Sequence, residues 1–265
     1  MKGRVLIIAG SDPSGGAGIQ ADIKAVTALG AYAATAITAV TVQNTQGVTG
    51  IHPIPGDIIK GQIDAVLSDI GADVIKIGMI GSVATAEIIE ETLKANPGIP
   101  AVLDPVLVAT SGDSLGDSDV ATFIQDRLLP LTALVTPNMP EAEVLTGLTV
   151  TGEATQKLAG QSLVGAGAKA ALVKGGHGGG QTVTDVLCTS DHPPRSFLKP
   201  RIRSTNTHGT GCTLASAIAA GMAQGLDIDH AVTQALDYVW KAIKTAPGLG
   251  SGNGPLNHAH SLDKG

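Results

Sequence analysis

The apolar residues of the chain occur in two alternating patterns, short continuous runs and segments with helical spacing. Arg4–Gly10 is a continuous apolar run, typical of a buried strand, and Gly16–Leu29 after it is predicted to be a helix. Asp57–Ile70 carries isoleucine or valine on one helical face at each turn. The repeated alternation of strand and helix predicts right-handed crossovers and a mostly parallel sheet with helices on both faces.

The remaining elements continue this alternation and add two hairpins. Further strands are predicted at Asp73–Gly78, Ala101–Asp104, Ala133–Thr136 and Ala170–Lys174. Further helices are predicted at Val83–Ala95, near Asp117–Leu128, from about Met139, at Glu153–Ala166, Gly211–Gln224 and Ile228–Thr245. The hairpins pair Ala33–Gln43 with Gly47–Pro55, and Gln181–Cys188 with Arg195–Arg203. Because no internal repeat and no long linker interrupts the pattern, we expect a single domain over residues 1–265.

Composition narrows the class of protein. Hydrophobic residues make up 43% of the 265 residues but aromatic residues only 2%, so the core is built from Ala, Val, Ile and Leu. The scarcity of aromatic side chains and the net charge of −6 disfavour nucleic acid as a partner. Two cysteines without a CxxC pair exclude a disulfide framework and a zinc ribbon. No uninterrupted apolar stretch reaches about 18 residues, which argues against a membrane span, and we expect the cytoplasm as location.

Polar and glycine-rich groups follow the predicted strands. Because ligands of open α/β sheets bind beyond the carboxyl ends of the strands, these groups indicate where the chemistry lies. They are Gly10-Ser11-Asp12, Gly78-Met79, Asp104-Pro105, Thr136-Pro137-Asn138 and Lys174-Gly175-Gly176. We therefore expect one edge of the sheet to carry the functional site.

The most distinctive local motif runs from Thr207 to Thr213 (THGTGCT) and precedes an alanine-rich helix. Its glycines allow backbone amides to converge at a helix N-terminus, where an anionic phosphoryl group can be held. Cys212 is expected in the first turn, where the helix dipole lowers the pKa of a thiol. A tight helix entry with a small cysteine packed behind it is the alternative, and local chemistry leaves both open.

Two acids and a lysine at the strand ends are candidates for binding a metal and a phosphate. Asp104 and Glu141 suit Mg²⁺, which uses few protein carboxylates and keeps several waters, and Lys174 suits a phosphate. Each also has a simpler explanation, since Asp104 can form a turn, Glu141 can stabilise a helix start and Lys174 can be solvated. The glycine-rich segment Gly10–Gly18 lacks GxGxxG and Walker signatures, so it is predicted to be a tight turn.

Together these segments resemble the hydroxymethylpyrimidine/phosphomethylpyrimidine kinase family of the ribokinase-like superfamily. The resemblance covers about Val5 to His260 and ends on a Gly-Pro-x-Asn-His-like tail. It is carried by AGSDPSGGAGIQADIKA, AVTVQNTQGV, KIGMIGS, VLDPVLVATSGD, LVTPNMPEAEVL, LVKGGH, NTHGTGCTLASAIAAG and GSGNGPLNHAH.

The resemblance implies a ribokinase-like three-layer αβα sandwich with a mostly parallel central sheet and a small β-hairpin flap. It implies an enzyme that uses ATP and Mg²⁺ to phosphorylate 4-amino-5-hydroxymethyl-2-methylpyrimidine and then its monophosphate, for thiamine biosynthesis. The apolar hairpin Ala33–Pro55 also suggests a homodimer.

The resemblance also assigns roles to residues. Gln43 is expected to hydrogen-bond the aminopyrimidine, and Cys212 takes the position where most of the superfamily carries an aspartate base. The remaining residues expected around the ligands are Gly10, Ala17, Asp22, Val42, Met79 and Val106 for the pyrimidine, Gly209, Thr210 and Gly211 for the transferring group, Lys174, Asn138 and Thr207 for ATP, and Asp104 and Glu141 for the metal.

Other functions are weighed against this one. A pyridoxal kinase is the nearest rival, because both substrates are flat heteroaromatic rings with a hydroxymethyl group. A non-catalytic binding regulator would need neither the acid pair nor a base. A hydrolase with Cys212 as nucleophile needs a histidine base, and His208 precedes the loop without an evident third group. For the kinase, we expect Cys212 to matter more in the first phosphorylation, since a phosphate acceptor needs no strong base.

Overall fold

Nine strands form a single sheet in the computed structural model, which describes residues 1–107 and 118–262. In chain order they are β1 Arg4–Ser11, β2 Tyr32–Asn44, β3 Gly47–Pro53, β4 Val74–Ile77, β5 Ala101–Leu103, β6 Leu134–Val135, β7 Ala170–Val173, β8 Thr182–Thr189 and β9 Arg195–Pro200. Their order across the sheet is β3-β2-β1-β4-β5-β6-β7-β8-β9. The pairs from β2 through β7 are parallel, and β3, β8 and β9 join antiparallel. The mostly parallel sheet and both hairpins are thereby confirmed.

Helices cover both faces of this sheet. They are α1 Gly18–Ala28, α2 Gly56–Asp69, α3 Val83–Ala95, α4 Ser118–Phe123, α5 Met139–Thr146, α6 Glu153–Gly165, α7 Thr210–Ala223 and α8 Ile228–Lys244. Val5 and Ile7 of β1 pack with α1, α7 and α8, whereas Leu6 and Ile8 pack with α2, α3 and α6. Because successive side chains of a strand point to opposite faces, the apolar run of β1 contributes to the hydrophobic cores on both faces of the sheet. The result is the expected three-layer αβα arrangement.

The predicted bounds differ from the observed ones at a few ends. Helix α1 begins at Gly18 rather than Gly16, because the Ala17 N–H is bonded to the Asp12 carboxylate and the loop stays extended there. The helix predicted from Asp117 begins at Ser118, and Asp117 itself lies outside the described residues. It continues after Phe123 as a π-helical turn, Ile124–Leu128. Within the described ranges, no helix combines the length and hydrophobicity that crossing a membrane requires.

A buried ion pair connects the sheet to the helices beneath the carboxyl edge. Lys76 Nζ of β4 lies 2.8 Å from Asp22 Oδ2 of α1, and neither side chain is exposed. Ser216 of α7 donates to the other carboxylate oxygen of Asp22 at 2.7 Å. Burial alone lowers the pKa of Lys76, but Asp22 and nearby acidic groups outweigh it and raise that pKa, so Lys76 stays charged.

We predict that Lys76→Met destabilises the protein by about 3–5 kcal/mol, since it leaves the Asp22 carboxylate buried without its cation. The double variant Lys76→Met/Asp22→Asn removes both charges, and its free energy of unfolding should fall much less. Urea denaturation of the two variants and the parent measures this. Equal losses in the single and double variants would show that the charge pairing is unimportant.

Candidate active site

A cavity of about 680 Å³ opens at the carboxyl edge of the parallel strands. It brings together residues from all five strand ends named above and from the start of α7, as expected from the sequence. The predicted site residues that line it are Gly10, Ala17, Gln43, Met79, Asp104, Val106, Asn138, Glu141, Lys174, Thr207, Gly209, Thr210, Gly211 and Cys212.

Two predicted substrate residues do not extend a side chain into this cavity. Asp22 lies fully buried in its ion pair, and its partner Lys76 forms the cavity wall instead. Val42 is 63% exposed on β2, between Thr41 and Gln43, which both line the cavity. Because neighbouring side chains of a strand point to opposite faces, Val42 faces away. The side chains of Asp22 and Val42 therefore lie outside the cavity lining, and their expected contact with a substrate stays a prediction.

The start of α7 is tightly constrained by the first glycine-rich loop. Gly209 has a φ of 77°, and a Cβ atom there would lie 1.8 Å from the carbonyl oxygen of Gly16, so only glycine fits. The Thr210 N–H already donates to the Thr207 carbonyl oxygen at 3.2 Å. Of the three expected anion-binding amides, the one of Thr210 is thus engaged. The amide of Gly211 lies in the first helical turn, where N–H groups have no carbonyl partner within the helix.

Cys212 lines the cavity, but its pKa is not lowered as the sequence analysis expected. Burial, together with the charges of Asp22 and Asp104, raises the pKa of the thiol to about 12 against the opposing effect of Lys76. These effects outweigh the helix dipole. In the free protein Cys212 is therefore a thiol at neutral pH.

Two acids and a lysine form a cluster next to Gly211. Lys174 Nζ lies 2.8 Å from Asp104 Oδ1 and 3.9 Å from Glu141 Oε2. Burial raises the pKa of Glu141 to about 7, with Asp104 adding to the rise and Lys174 opposing it. Glu141 also forms a capping box with Asn138, whose N–H donates to Glu141 Oε2 at 2.7 Å. The simpler role of a helix-start acid therefore coexists with its place in the cavity wall.

The cluster fits a magnesium ion in its donor chemistry. In the described part of the chain, no three or more Asp, Glu, His and Cys side chains are arranged to hold a metal by themselves. Mg²⁺, however, is usually held by one or two carboxylates together with waters and substrate phosphates. The carboxylates of Asp104 and Glu141, both facing the cavity, meet that need without further protein ligands.

A hydrogen bond between the side chains of two loops was not predicted from the sequence. His208 Nε2 lies 2.7 Å from Asp12 Oδ2, and both side chains are almost fully buried. Gln43 Nε2 lies 3.4 Å from the same ring nitrogen. The available signal was an aspartate inside the first glycine-rich loop and a histidine directly before Gly209. The pairing occurs because these loops touch in space, although His208 and Asp12 are 196 positions apart.

Two further glycine-rich segments hold the cavity rim. The Asn253 N–H donates to the Thr45 carbonyl oxygen at 2.7 Å, and the Gly254 carbonyl oxygen accepts from the His208 N–H at 3.1 Å. The tail thus connects the β2–β3 turn to the start of α7. Arg201 donates to the carbonyl oxygens of three glycines in the segment 175–181, which holds that loop in shape.

Proteins with similar sequences are pyrimidine kinases or proteins of thiamine biosynthesis. A family model described as phosphomethylpyrimidine kinase matches residues 12–257. The hydroxymethylpyrimidine/phosphomethylpyrimidine kinase of Rhizobium meliloti is 46% identical, over 96% of both chains. The thiamine biosynthesis bifunctional protein ThiED of Geobacter sulfurreducens is 47% identical over 97% of this chain, which spans only 52% of that longer protein.

Solved structures with the same fold include two kinds of kinase. The pyridoxal kinase of Bacillus subtilis, in an ADP complex, superposes with a TM-score of 0.92 at 30% identity and full coverage of both chains. The phosphomethylpyrimidine kinase of Clostridium difficile superposes with a TM-score of 0.81 at 38% identity, covering 91% of this chain and 100% of its own. These neighbours confirm the ribokinase-like fold.

We predict that the Asp12 carboxylate stabilises the fold above its titration range. Burial alone would raise its pKa, but hydrogen bonds from His208, Ser14 and Ala17 outweigh it and lower the pKa to about 2. An acid with a lowered folded-state pKa stabilises at neutral pH, and this contribution disappears as pH falls from about 4 towards 2. Asp12→Asn should therefore cost about 2 kcal/mol at pH 7 and progressively less below pH 4.

Denaturant unfolding at several pH values measures this difference. Asp191→Asn, which changes an exposed loop acid, is the matched control and should alter stability little at any pH. A stability difference for Asp12→Asn that stays constant down to pH 2 would contradict the assignment.

Proposed function

Because the chain belongs to the phosphomethylpyrimidine kinase family, we propose that its cavity transfers the terminal phosphate of ATP to 4-amino-5-hydroxymethyl-2-methylpyrimidine and then to the resulting monophosphate. These reactions serve thiamine biosynthesis. The observation that carries the proposal is the shared cavity, in which the start of α7 and Cys212 adjoin Asp104, Glu141 and Lys174.

The pyrimidine lies at the end of the cavity formed by β1 and β2. Gln43 offers an amide that both donates and accepts hydrogen bonds, which suits an aminopyrimidine edge with an amino group beside a ring nitrogen. Ala17, Met79 and Val106 supply apolar surface around the ring. Such a combination of apolar walls and a few orienting polar groups is typical of small-molecule sites.

The nucleotide lies towards the other end. Leu236, Val239 and Ile243 of α8 give that end of the cavity an apolar wall suited to a nucleobase. The phosphates then reach the cluster of Lys174, Asp104 and Glu141. Mg²⁺ bound by these two carboxylates would neutralise charge on the phosphates. Lys174, whose pKa is raised above its ordinary value because Asp104 and Glu141 outweigh its burial, remains a cation beside them.

In the first step, the hydroxymethyl oxygen bonds to the γ-phosphorus while the bond from that phosphorus to the β-γ bridging oxygen breaks, which releases ADP. The N-terminus of α7 stabilises the transferring group, and positioning supplies most of the catalysis in such reactions. The hydroxyl proton leaves as the new bond forms, and the thiolate form of Cys212 accepts it. Because burial keeps Cys212 mainly as a thiol, only a small fraction of the enzyme carries this base near neutral pH.

A second copy of the chain is the partner we propose. Val40 and Val42 are exposed on the face of β2 that points away from the cavity, and they offer apolar surface for the same face of another hairpin. Such a homodimer would cover these side chains without involving the nucleotide end of the cavity.

Pyridoxal phosphorylation is the second candidate, since the structural neighbours include pyridoxal kinases at TM-scores as high as 0.92. Sequence identity favours the pyrimidine kinases, at 46% against 30%. The hydrolase hypothesis gains no support, because no hydrogen bond joins the described His208 ring to Cys212, even though Asp12 orients that ring.

We predict that a coupled ADP assay gives a kcat/KM for hydroxymethylpyrimidine about tenfold or more above that for pyridoxal. Pyridoxal lacks the amino group beside a ring nitrogen that the Gln43 amide can bond, and a site built for such a bond rejects rings without it. Product analysis should show the monophosphate first and the diphosphate later. A higher kcat/KM for pyridoxal would make the chain a pyridoxal kinase instead.

We further predict that Cys212→Ala lowers kcat of the first phosphorylation by about 10²-fold, the low end for a lost proton acceptor, and the second step much less. The parent's first-step rate should rise with pH between 7 and 9, because the thiolate fraction rises throughout that range when the pKa is about 12. Cys212→Ser should lose this rise. Equal losses in both steps, or a flat profile for the parent, would contradict the role of Cys212 as a base.

A further inference from the structure

The hydrogen position on His208 follows from the surroundings of Asp12. The Asp12 carboxylate already accepts from the Ser14 N–H at 2.8 Å, the Ser14 hydroxyl at 2.9 Å and the Ala17 N–H at 2.8 Å. An ionised carboxylate is only an acceptor. The ring nitrogen of His208 that faces it at 2.7 Å must therefore be the protonated one and donate.

The amide of Gln43 has two possible directions, and its neighbours distinguish them. As placed, the amide nitrogen faces His208 Nε2 at 3.4 Å, so a donor meets a donor. The Gln43 oxygen lies 3.1 Å from the hydroxyl of Thr41, whose single proton is also directed to the Ser11 carbonyl oxygen at 2.9 Å. The Ser11 carbonyl belongs to the backbone and can only accept, so it takes the Thr41 proton. The Thr41 oxygen is then left as an acceptor that faces the Gln43 oxygen, which is also an acceptor.

A half-turn of the amide resolves both conflicts. The Gln43 oxygen then faces the Nε2–H of His208 at 3.4 Å, as the second and weaker acceptor of the proton that Asp12 accepts at 2.7 Å. The Gln43 nitrogen donates to the Thr41 oxygen. The two ends of an amide have nearly the same shape, so the hydrogen-bond network decides between them. Each group in the chain Asp12, His208, Gln43, Thr41 and Ser11 then has a complementary neighbour.

We propose that Asp12 and His208 form a positioning pair that sets the direction of the Gln43 amide, with its oxygen towards His208, and thereby selects which way round the substrate ring binds. This inference rests on the proposed function. In the pyrimidine, the amino group is adjacent to the carbon that bears the hydroxymethyl group, and the ring nitrogen lies on the far side. An amide oxygen beside His208 draws the amino group, and with it the hydroxymethyl group, towards the loop that leads to Cys212.

The pair is built to hold this direction. His208 is 5% exposed, and a Cβ atom on Gly16 would lie 2.2 Å from its ring carbon Cδ2, so the ring is packed directly on the first loop. Its backbone N–H is bonded to Gly254. If the Gln43 amide had the opposite direction, the substrate ring would have to turn over to keep its two hydrogen bonds to that amide. The hydroxymethyl group of the substrate would then point away from the start of α7.

The test compares hydroxymethylpyrimidine with 5-hydroxymethyl-2-methylpyrimidine, which lacks the amino group. The parent enzyme should prefer the amino compound, and His208→Phe should reduce that preference in kcat/KM by about tenfold, since the amide is no longer fixed. The KM for ATP should stay unchanged. His208→Gln keeps an N–H donor and should recover part of the preference. Thr41→Val removes the other end of the network and should act in the same direction, more weakly.

His192→Phe, at a loop histidine whose side chain is 78% exposed, is the matched control and should leave the preference unchanged. If His208→Phe does not fold, as judged by its thermal transition, Thr41→Val decides, and an unaltered preference there overturns the proposal. The proposal is also overturned if His208→Phe keeps the full preference, or if both His208 variants lose activity equally on the two compounds. If the parent enzyme does not phosphorylate hydroxymethylpyrimidine at all, the proposed function fails first.

Discussion

Direct backbone contact between two glycine-bearing loops is the constraint on which the rest of the site depends. The carbonyl group of Gly16 lies where a Cβ atom of residue 209 would be, and a Cβ atom on Gly18 would meet the Gly10 carbonyl oxygen at 2.4 Å. A side chain at residue 209 would separate the loop after β1 from the start of α7, and one at residue 18 would distort the loop after β1 itself. The reacting groups are held at a near-attack distance only if these loops touch, and proximity of this kind accounts for much of enzymatic rate enhancement.

Charge in the cavity is balanced before any ligand arrives. Lys76 and Lys174 are each bonded to an aspartate, so neither lysine is buried without a counter-charge. A buried charge without a partner costs several kcal/mol, and pairing avoids this cost in the free protein. The pKa values of Cys212 and Glu141 are high because burial and the neighbouring acids disfavour further negative charge in the free protein.

The sequence was sufficient for the fold because the signals are local. The apolar run of β1 and the repeating apolar face of α2 mark their elements almost to the residue, and the strand ends correctly indicated one edge. The predicted lowering of the Cys212 pKa was wrong, because a helix start is visible in the sequence whereas the burial of the thiol and the acids packed behind it are not. The Val42 side chain lies outside the cavity lining for a simpler reason, since its neighbours Thr41 and Gln43 take the face of the strand that meets the cavity. The Asp12–His208 pair could not be predicted, because only the fold brings these two residues together.

The tail that joins the β2–β3 turn to the start of α7 has a consequence for biosynthesis. The loop after β1 is translated long before its partner His208. Asn253 and Gly254, which join the β2–β3 turn to His208, are translated later still. Domains gain their structure as their segments emerge, and contacts between distant segments form slowly. A nascent chain can thus assemble much of its sheet early, yet it acquires a complete catalytic centre only once the tail has emerged and joined the β2–β3 turn to the start of α7.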